Sequence, residues 1–300
     1  MADPRSTVVD GPVASAALER EPAGQAASEV RQSRLRWNAP LLLGIAIVAL
    51  SIALAIAAPW LSTHDPLEIA DASLSPPSSE YWLGTDQLGR DVLARVLFAA
   101  RTSLSVACLS AALAFAAGTL IGLVAGYGAG LVDTVVMRLL DVLQAFPALL
   151  LAIALVAALG PNLSNLVFTM GVLFTPRFAR VARASTLSVR ERDYIAAAVG
   201  LGVTPMRIMF RHVLPNIAAP LIVEASLTAT LAILTEASLS FLGLGVQPPA
   251  PTWGGMIAES TAVMSIAPWL AICPGLAVVF VVVGFNLVGD GLRDALDPRS

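Results

Sequence analysis

The chain has 300 residues, 57% of them hydrophobic and only 13% charged, with a net charge of −3 and a mean hydropathy of +0.78. That composition excludes an ordinary water-soluble domain, and the long apolar runs place the chain in a bilayer. All eighteen basic residues are arginine. A phosphate-binding GxxxxGK[ST] loop needs its lysine, so this chain is not itself a P-loop ATPase.

Residues 1–36 are rich in Ala, Ser, Glu, Pro and Arg without apolar periodicity, and read as a disordered cytoplasmic tail. The apolar segment begins too late for a cleaved secretory signal. Residues 37–300 read as one membrane domain. The first span covers 40–60, anchored by Arg31, Arg34 and Arg36 before it and by Trp37 and Trp60 at its ends. A polar outer loop, 61–100, follows. Within it Gly84 and Gly89 mark turns, Asp86, Arg90 and Asp91 are close enough to pair, and Arg90 and Asp91 open an amphipathic helix.

The second span is expected over 103–125. Its Gly118, Gly122 and Gly126 recur every four residues, a stripe that permits close helix–helix approach. The third covers 135–159 as one helix, entered past Arg138, Asp141 and Pro147. The fourth covers 163–182, interrupted at Thr175-Pro176, with Arg177, Arg180 and Arg183 crowding its end.

Residues 184–215 form the longest water-facing segment of the C-terminal two-thirds. Tyr194 through Leu201 is alanine-rich and helical. Gly202 supplies a residue tolerant of positive φ, Thr204 and Pro205 restart the chain as N-cap and first helical residue, and Pro215 marks the next break. Such a glycine-hinged helix pair is a handle for a soluble partner. A fifth span covers 217–244 and a sixth 266–288.

The fifth span carries Glu224, Thr228, Thr235 and Glu236. A carboxylate inside a membrane faces protein or water, so these residues read as a possible translocation stripe, with packing between helices as the alternative. Glu224 and Glu236 also support a rival reading, an ion- or proton-coupled secondary transporter. His64 and His212 fall on opposite faces, and Cys108 and Cys273 lie in apolar runs, so neither a metal site nor a Ser/His/Asp set assembles. A membrane hydrolase is poorly supported. With six spans, fifteen arginines fall on the side of the termini and the 184–215 loop, against Arg90, Arg95 and Arg101 opposite. That bias makes the termini and the loop cytoplasmic.

The loop resembles the cytoplasmic loop of bacterial ABC-transporter permeases. Ala197, Ala198, Gly202, Leu214 and Pro215 fit the pattern Glu-Ala-Ala, three residues, Gly, nine residues, Ile, one residue, Leu-Pro. Ala196 replaces its Glu and His212 its Ile. The outer stretch LGTDQLGRD (Gly84, Thr85, Asp86, Gly89, Arg90, Asp91) followed by ARTSL is similar to the second permease subunit of dipeptide/oligopeptide/nickel importers. Residues 133–147 and 236–254 agree with it.

The resemblance implies an all-α membrane protein of the type I ABC importer permease fold, with six transmembrane helices and no cofactor. It implies a multi-pass subunit of the bacterial inner membrane. The implied partners are a second homologous permease, two ABC ATPase subunits and an extracytoplasmic substrate-binding protein, with no nucleic acid. It also implies that Arg192, Tyr194, Ala197, Ala198, Gly202, Arg207, Arg211, Leu214 and Pro215 couple to the ATPase.

Overall fold

The computed structural model describes residues 38–69, 72–128 and 130–296, all-helical but for one isolated bridge between Thr85 and Asp91. The 1–36 tail and Trp37 lie outside the described residues. Helix α1 (Ala39–Leu61) opens on Asn38, whose side chain accepts the Leu41 amide at 3.1 Å. Helix α2 (Val92–Gly128) is longer than expected, because it begins within the outer segment, where Asp91 accepts the Leu93 amide at 2.9 Å.

The expected third span is two helices, α3 (Gly130–Gln144) and α4 (Ala148–Leu159), bent by 88°. Pro147 lacks an amide proton and disfavours helix at Phe146, which breaks the run at this point. Pro176 has the opposite outcome. Helix α5 (Leu163–Arg190) passes through it without interruption and extends well past residue 182, with the Thr175 hydroxyl donating to the Gly171 carbonyl at 2.8 Å.

Helices α6 (Asp193–Gly200) and α7 (Pro205–Ile208) follow. Then α7 runs through a π turn (Met209–Val213) and a 3-10 turn (Leu214–Ile217) into α8 (Ala218–Phe241). Pro215 therefore re-registers the helix instead of ending it. Asn216 Nδ2 donates to the His212 carbonyl at 2.6 Å in that stretch. Helix α9 (Trp253–Ser260) and helix α10 (Trp269–Leu296) complete the chain.

The glycine stripe sets the central packing. A Cβ on Gly118, Gly122 or Gly126 would fall within 3 Å of Thr175, Ala179 and Arg183 carbonyl oxygens in turn, so α2 and α5 run parallel with backbones touching. Gly44 lies against Leu287 and Val288, and Gly291 against Leu41, so α1 and α10 are antiparallel. Thr230 bonds Asn286, and Gly289 lies against Ser226, so α8 and α10 are antiparallel too.

The start of α1, the ends of α2, α5 and α10 and the start of α8 thus gather at one end of the bundle, beside α6. Among the described residues, four stretches (Ala39–Leu61, Val92–Gly128, Pro205–Phe241, Trp269–Leu296) are long and apolar enough to cross a membrane, five if the bent pair counts as one. Helix α5 spans about 42 Å at 1.5 Å per residue, but its arginines lower its hydropathy.

Candidate functional site

At the α6 end, Arg192 takes an extended conformation and starts α6, with Asp193 in the first turn, where a helix favours negative charge. The helix stops as its sequence demands. The Leu201 and Val203 amides donate to the Ala197 and Ala198 carbonyls, and Gly202 sits at φ +73°. Nothing lies within 4 Å of a Cβ on Gly202, so the requirement there is conformational alone. Thr204 is extended and Pro205 is the first helical residue, but the Thr204 side chain makes no cap bond.

Ile195 is buried and anchors α6. Ala198 and Leu214 pack against the core, while Ala197, Arg192, Arg207, Arg211 and Pro215 are exposed. Alongside Tyr194, the large exposed apolar groups are Val199, Leu201, Met206 and Phe210. Sequence reasoning passed over these four, because apolar residues run throughout 193–210 and residue type alone does not tell the exposed ones from Ile195, Ile208 and Met209, which are buried.

Above this loop, three of the four arginines of α5 are each held by a carboxylate from another helix. Arg177 Nε donates to Glu224 Oε1 of α8 at 2.8 Å, and Arg180 Nη2 to Asp141 Oδ1 of α3 at 2.8 Å. Arg183 grips both carboxylate oxygens of Asp133. Thr228 also donates to Glu224, at 3.4 Å. Glu236 lies three helical turns further along α8, fully buried, accepting from Ser240 at 2.7 Å. Thr235 is half-buried beside it. The expected stripe therefore divides: Glu224 and Thr228 share one site, and Glu236 packs inside the chain. Arg177 is the partner that sequence reasoning did not supply.

At the far end, the LGTDQLGRD stretch is a closed turn. Gly84 (φ +73°) approaches the Ser75 carbonyl and the Trp269 indole so closely that a Cβ would fall within 3 Å of both, and Gly89 sits at φ +76°. The Thr85 hydroxyl donates to the Ala72 carbonyl and accepts the Ser75 amide. Asp86 accepts the Leu88 and Arg90 amides and lies 2.7 Å from Arg90 and 3.0 Å from Arg95. Arg95 reaches Glu259 of α9 at 2.8 Å. Asp91 pairs with His64 at 3.2 Å instead of with Arg90, and His64 stacks on Tyr81.

Residues 118–300 match the family described as binding-protein-dependent transport system inner membrane component. The chain is 43% identical over 267 residues to the dipeptide transport system permease protein DppC of Alkalihalophilus pseudofirmus, covering 89% of this chain and 88% of the relative. It is 44% identical to the glutathione transport system permease protein GsiD of Pectobacterium atrosepticum, covering 88% of each. It is 43% identical to the di/tripeptide transport system permease protein DppC of Pseudomonas aeruginosa, covering 87% and 89%.

The chain belongs to this family. It is an inner-membrane permease subunit of an ATP-driven ABC importer, of the second (C-type) permease class, and is not an enzyme: ATP is hydrolysed by a separate subunit. Such a permease works with an ATPase and a substrate-binding protein. Membership also disfavours the ion- or proton-coupled transporter based on Glu224 and Glu236. Helix α6 follows α5 after only Glu191 and Arg192, so the α5 ion pairs stand about 10–20 Å up the helix from the pair around Gly202.

Proposed function

We propose that this permease forms one half of the translocation path for peptides or similar small solutes, and that residues 184–215 transmit ATPase closure to the spans. The observation that carries the reading is the exposed helix pair α6–α7, hinged on Gly202 and edged by Arg192, Arg207 and Arg211. Similarity to dipeptide, di/tripeptide and glutathione permeases supports the solute class. One chain offers one such loop, so two ATPases call for a second, homologous permease.

Six spans with both termini cytoplasmic complete the proposal. Helices α2 and α5 are parallel, so the chain between them must return across the bundle, which supports counting α3–α4 as a crossing. Cysteines at Ser78 and Ser188, in a background lacking Cys108 and Cys273, test sidedness. Ser78 should react with an impermeant thiol reagent in intact spheroplasts and Ser188 only after lysis. The reverse pattern overturns the topology.

The coupling role is tested at Gly202 and Ala197. A β-branched side chain at a positive-φ position costs roughly 1–2 kcal/mol and swings α6 off its exit angle. Gly202→Val and Ala197→Arg should leave membrane insertion and binding-protein docking intact. In proteoliposomes holding the whole importer, uptake should fall and loaded binding protein should no longer stimulate ATP hydrolysis. Wild-type rates in both variants would show that the loop is not the lever.

A further inference from the structure

The three α5 ion pairs are not alike. Arg183 holds Asp133 through two bonds. Arg177 and Arg180 each hold their carboxylate through one bond, with Arg177 42% and Glu224 13% exposed and Arg180 and Asp141 each 50% exposed. The pairs climb α5 from its C-terminal third into the bundle, and Glu224 lies six residues into α8.

Half-exposed charges at that depth face water or protein, not lipid. Helix α3 is divided accordingly. Asp133 and Asp141 turn towards α5, while Leu131, Val135, Leu139 and Val142 form a separate exposed apolar face. Between α3 and α5 lies an open recess of about 330 Å³, lined by Asp133, Arg138, Asp141, Arg180 and Arg183 among others. Arg138 has no carboxylate partner among the described residues, so the recess offers both signs of charge and one spare cation.

We propose that Arg177–Glu224 and Arg180–Asp141 are exchange pairs for a zwitterionic solute. In passing, the solute places its carboxylate on an arginine and its ammonium on the displaced carboxylate, and the pair re-forms behind it. No bond is made or broken beyond these ionic contacts. Pairs held by one bond with at least one side chain open suit this work, because an exposed pair is worth little in water and the solute replaces it without being trapped. Arg180–Asp141 is open on both sides, and Arg177–Glu224 on the arginine side. The inference rests on the peptide reading above.

The test uses proteoliposomes containing the whole importer, saturating loaded binding protein, and three dipeptides: Ala-Lys, Ala-Ala and Ala-Glu. Glu224→Gln leaves Arg177 unpaired, so uptake of Ala-Lys relative to Ala-Glu should fall. Arg177→Gln should raise the same ratio. Each change should be about threefold, the scale of one exposed charge pair. The exchanged pair Arg177→Glu with Glu224→Arg should return the ratio to the wild-type value.

Arg180→Gln and Asp141→Asn form a second, more exposed set that should show the same opposed shifts whether or not the first set assembles. Equal changes for all three peptides in both sets would reduce the pairs to struts and overturn the proposal. A wild-type importer that accumulates none of the peptides, although ATP hydrolysis responds to loaded binding protein, would instead overturn the peptide reading, and the exchange role would fall with it.

Discussion

At the far end of the bundle, Arg95 is 3% exposed and lies between Asp86 and Glu259, and Asp86 also holds Arg90 and two backbone amides. At the α6 end, Arg180 and Asp141 hold, among the described residues, only one another, and half of each side chain is open. The residue types are the same. What differs is how many partners must move before any one charge is released. In the first cluster a buried charge would be stranded, so the turn, α2 and α9 are held as one body. In the second, either partner is released at little cost, which suits the end of the molecule beside the loop proposed to couple to the ATPase.

Breaking the closed cluster should have the largest effect. Asp86→Ala removes the partner of two arginines and the acceptor of two amides at once, leaving Arg95 buried with Glu259 alone. Removing one partner of a buried charge costs up to about 3–5 kcal/mol, reduced here by the Glu259 contact that Arg95 keeps at 2.8 Å, so the variant should accumulate poorly in membranes and unfold below wild type in a detergent thermal-shift assay. Asp86→Asn keeps an acceptor for the amides and should recover part of the loss. A wild-type melting temperature for Asp86→Ala would mean that the cluster is decoration.

The seam that joins the two ends is next. A Cβ on Gly122 would stand 2.3 Å from the Ala179 carbonyl oxygen and 2.6 Å from Ala182 Cβ, both on a helix that cannot yield locally. Overpacking of that kind costs about 1–3 kcal/mol, so Gly122→Val should lower the melting temperature and loosen the α5 arginines from their carboxylates. Gly275 in α10 is the control, since nothing lies within 4 Å of its Cβ. Gly275→Ala should stabilise by about 0.5–1 kcal/mol through helix propensity. The same thermal assay reads both, and equal shifts would remove the seam from the argument.

The apolar runs were legible because a long apolar segment in lipid has essentially one way to satisfy its backbone. The helix pair at 193–208 was legible because Gly202, Thr204 and Pro205 each carry a conformational demand of their own. Proline was not legible in the same way. Pro147 breaks its helix, Pro176 is absorbed and Pro215 shifts the register, so the residue type alone does not fix the outcome. The ion pairs were hidden because their partners are distant in sequence, with Arg177 and Glu224 47 residues apart and Arg183 and Asp133 50 apart. Asp86 with Arg90, four residues apart, was expected and is formed, whereas Asp91 found His64 from 27 residues away.

The smallest expected effect is the one that most sharpens the contrast. Arg180→Gln breaks a pair in which both side chains are half-exposed and, among the described residues, no group besides Asp141 loses a partner. Exposed pairs contribute about 0.2–1 kcal/mol, and salt screens even that, with a Debye length of about 10 Å at 0.1 M. The variant should therefore melt within a degree or two of wild type, the difference shrinking further as salt is raised. Asp86→Ala should keep most of its deficit at high salt, because Arg95, which loses a partner, is buried away from the solvent ions. Measuring both melts across a salt series separates the two clusters without any transport assay. If Arg180→Gln proved as damaging as Asp86→Ala and equally insensitive to salt, the α6-end pairs would be structural pins like those at the far end, and the contrast between a fixed end and a yielding end would be lost.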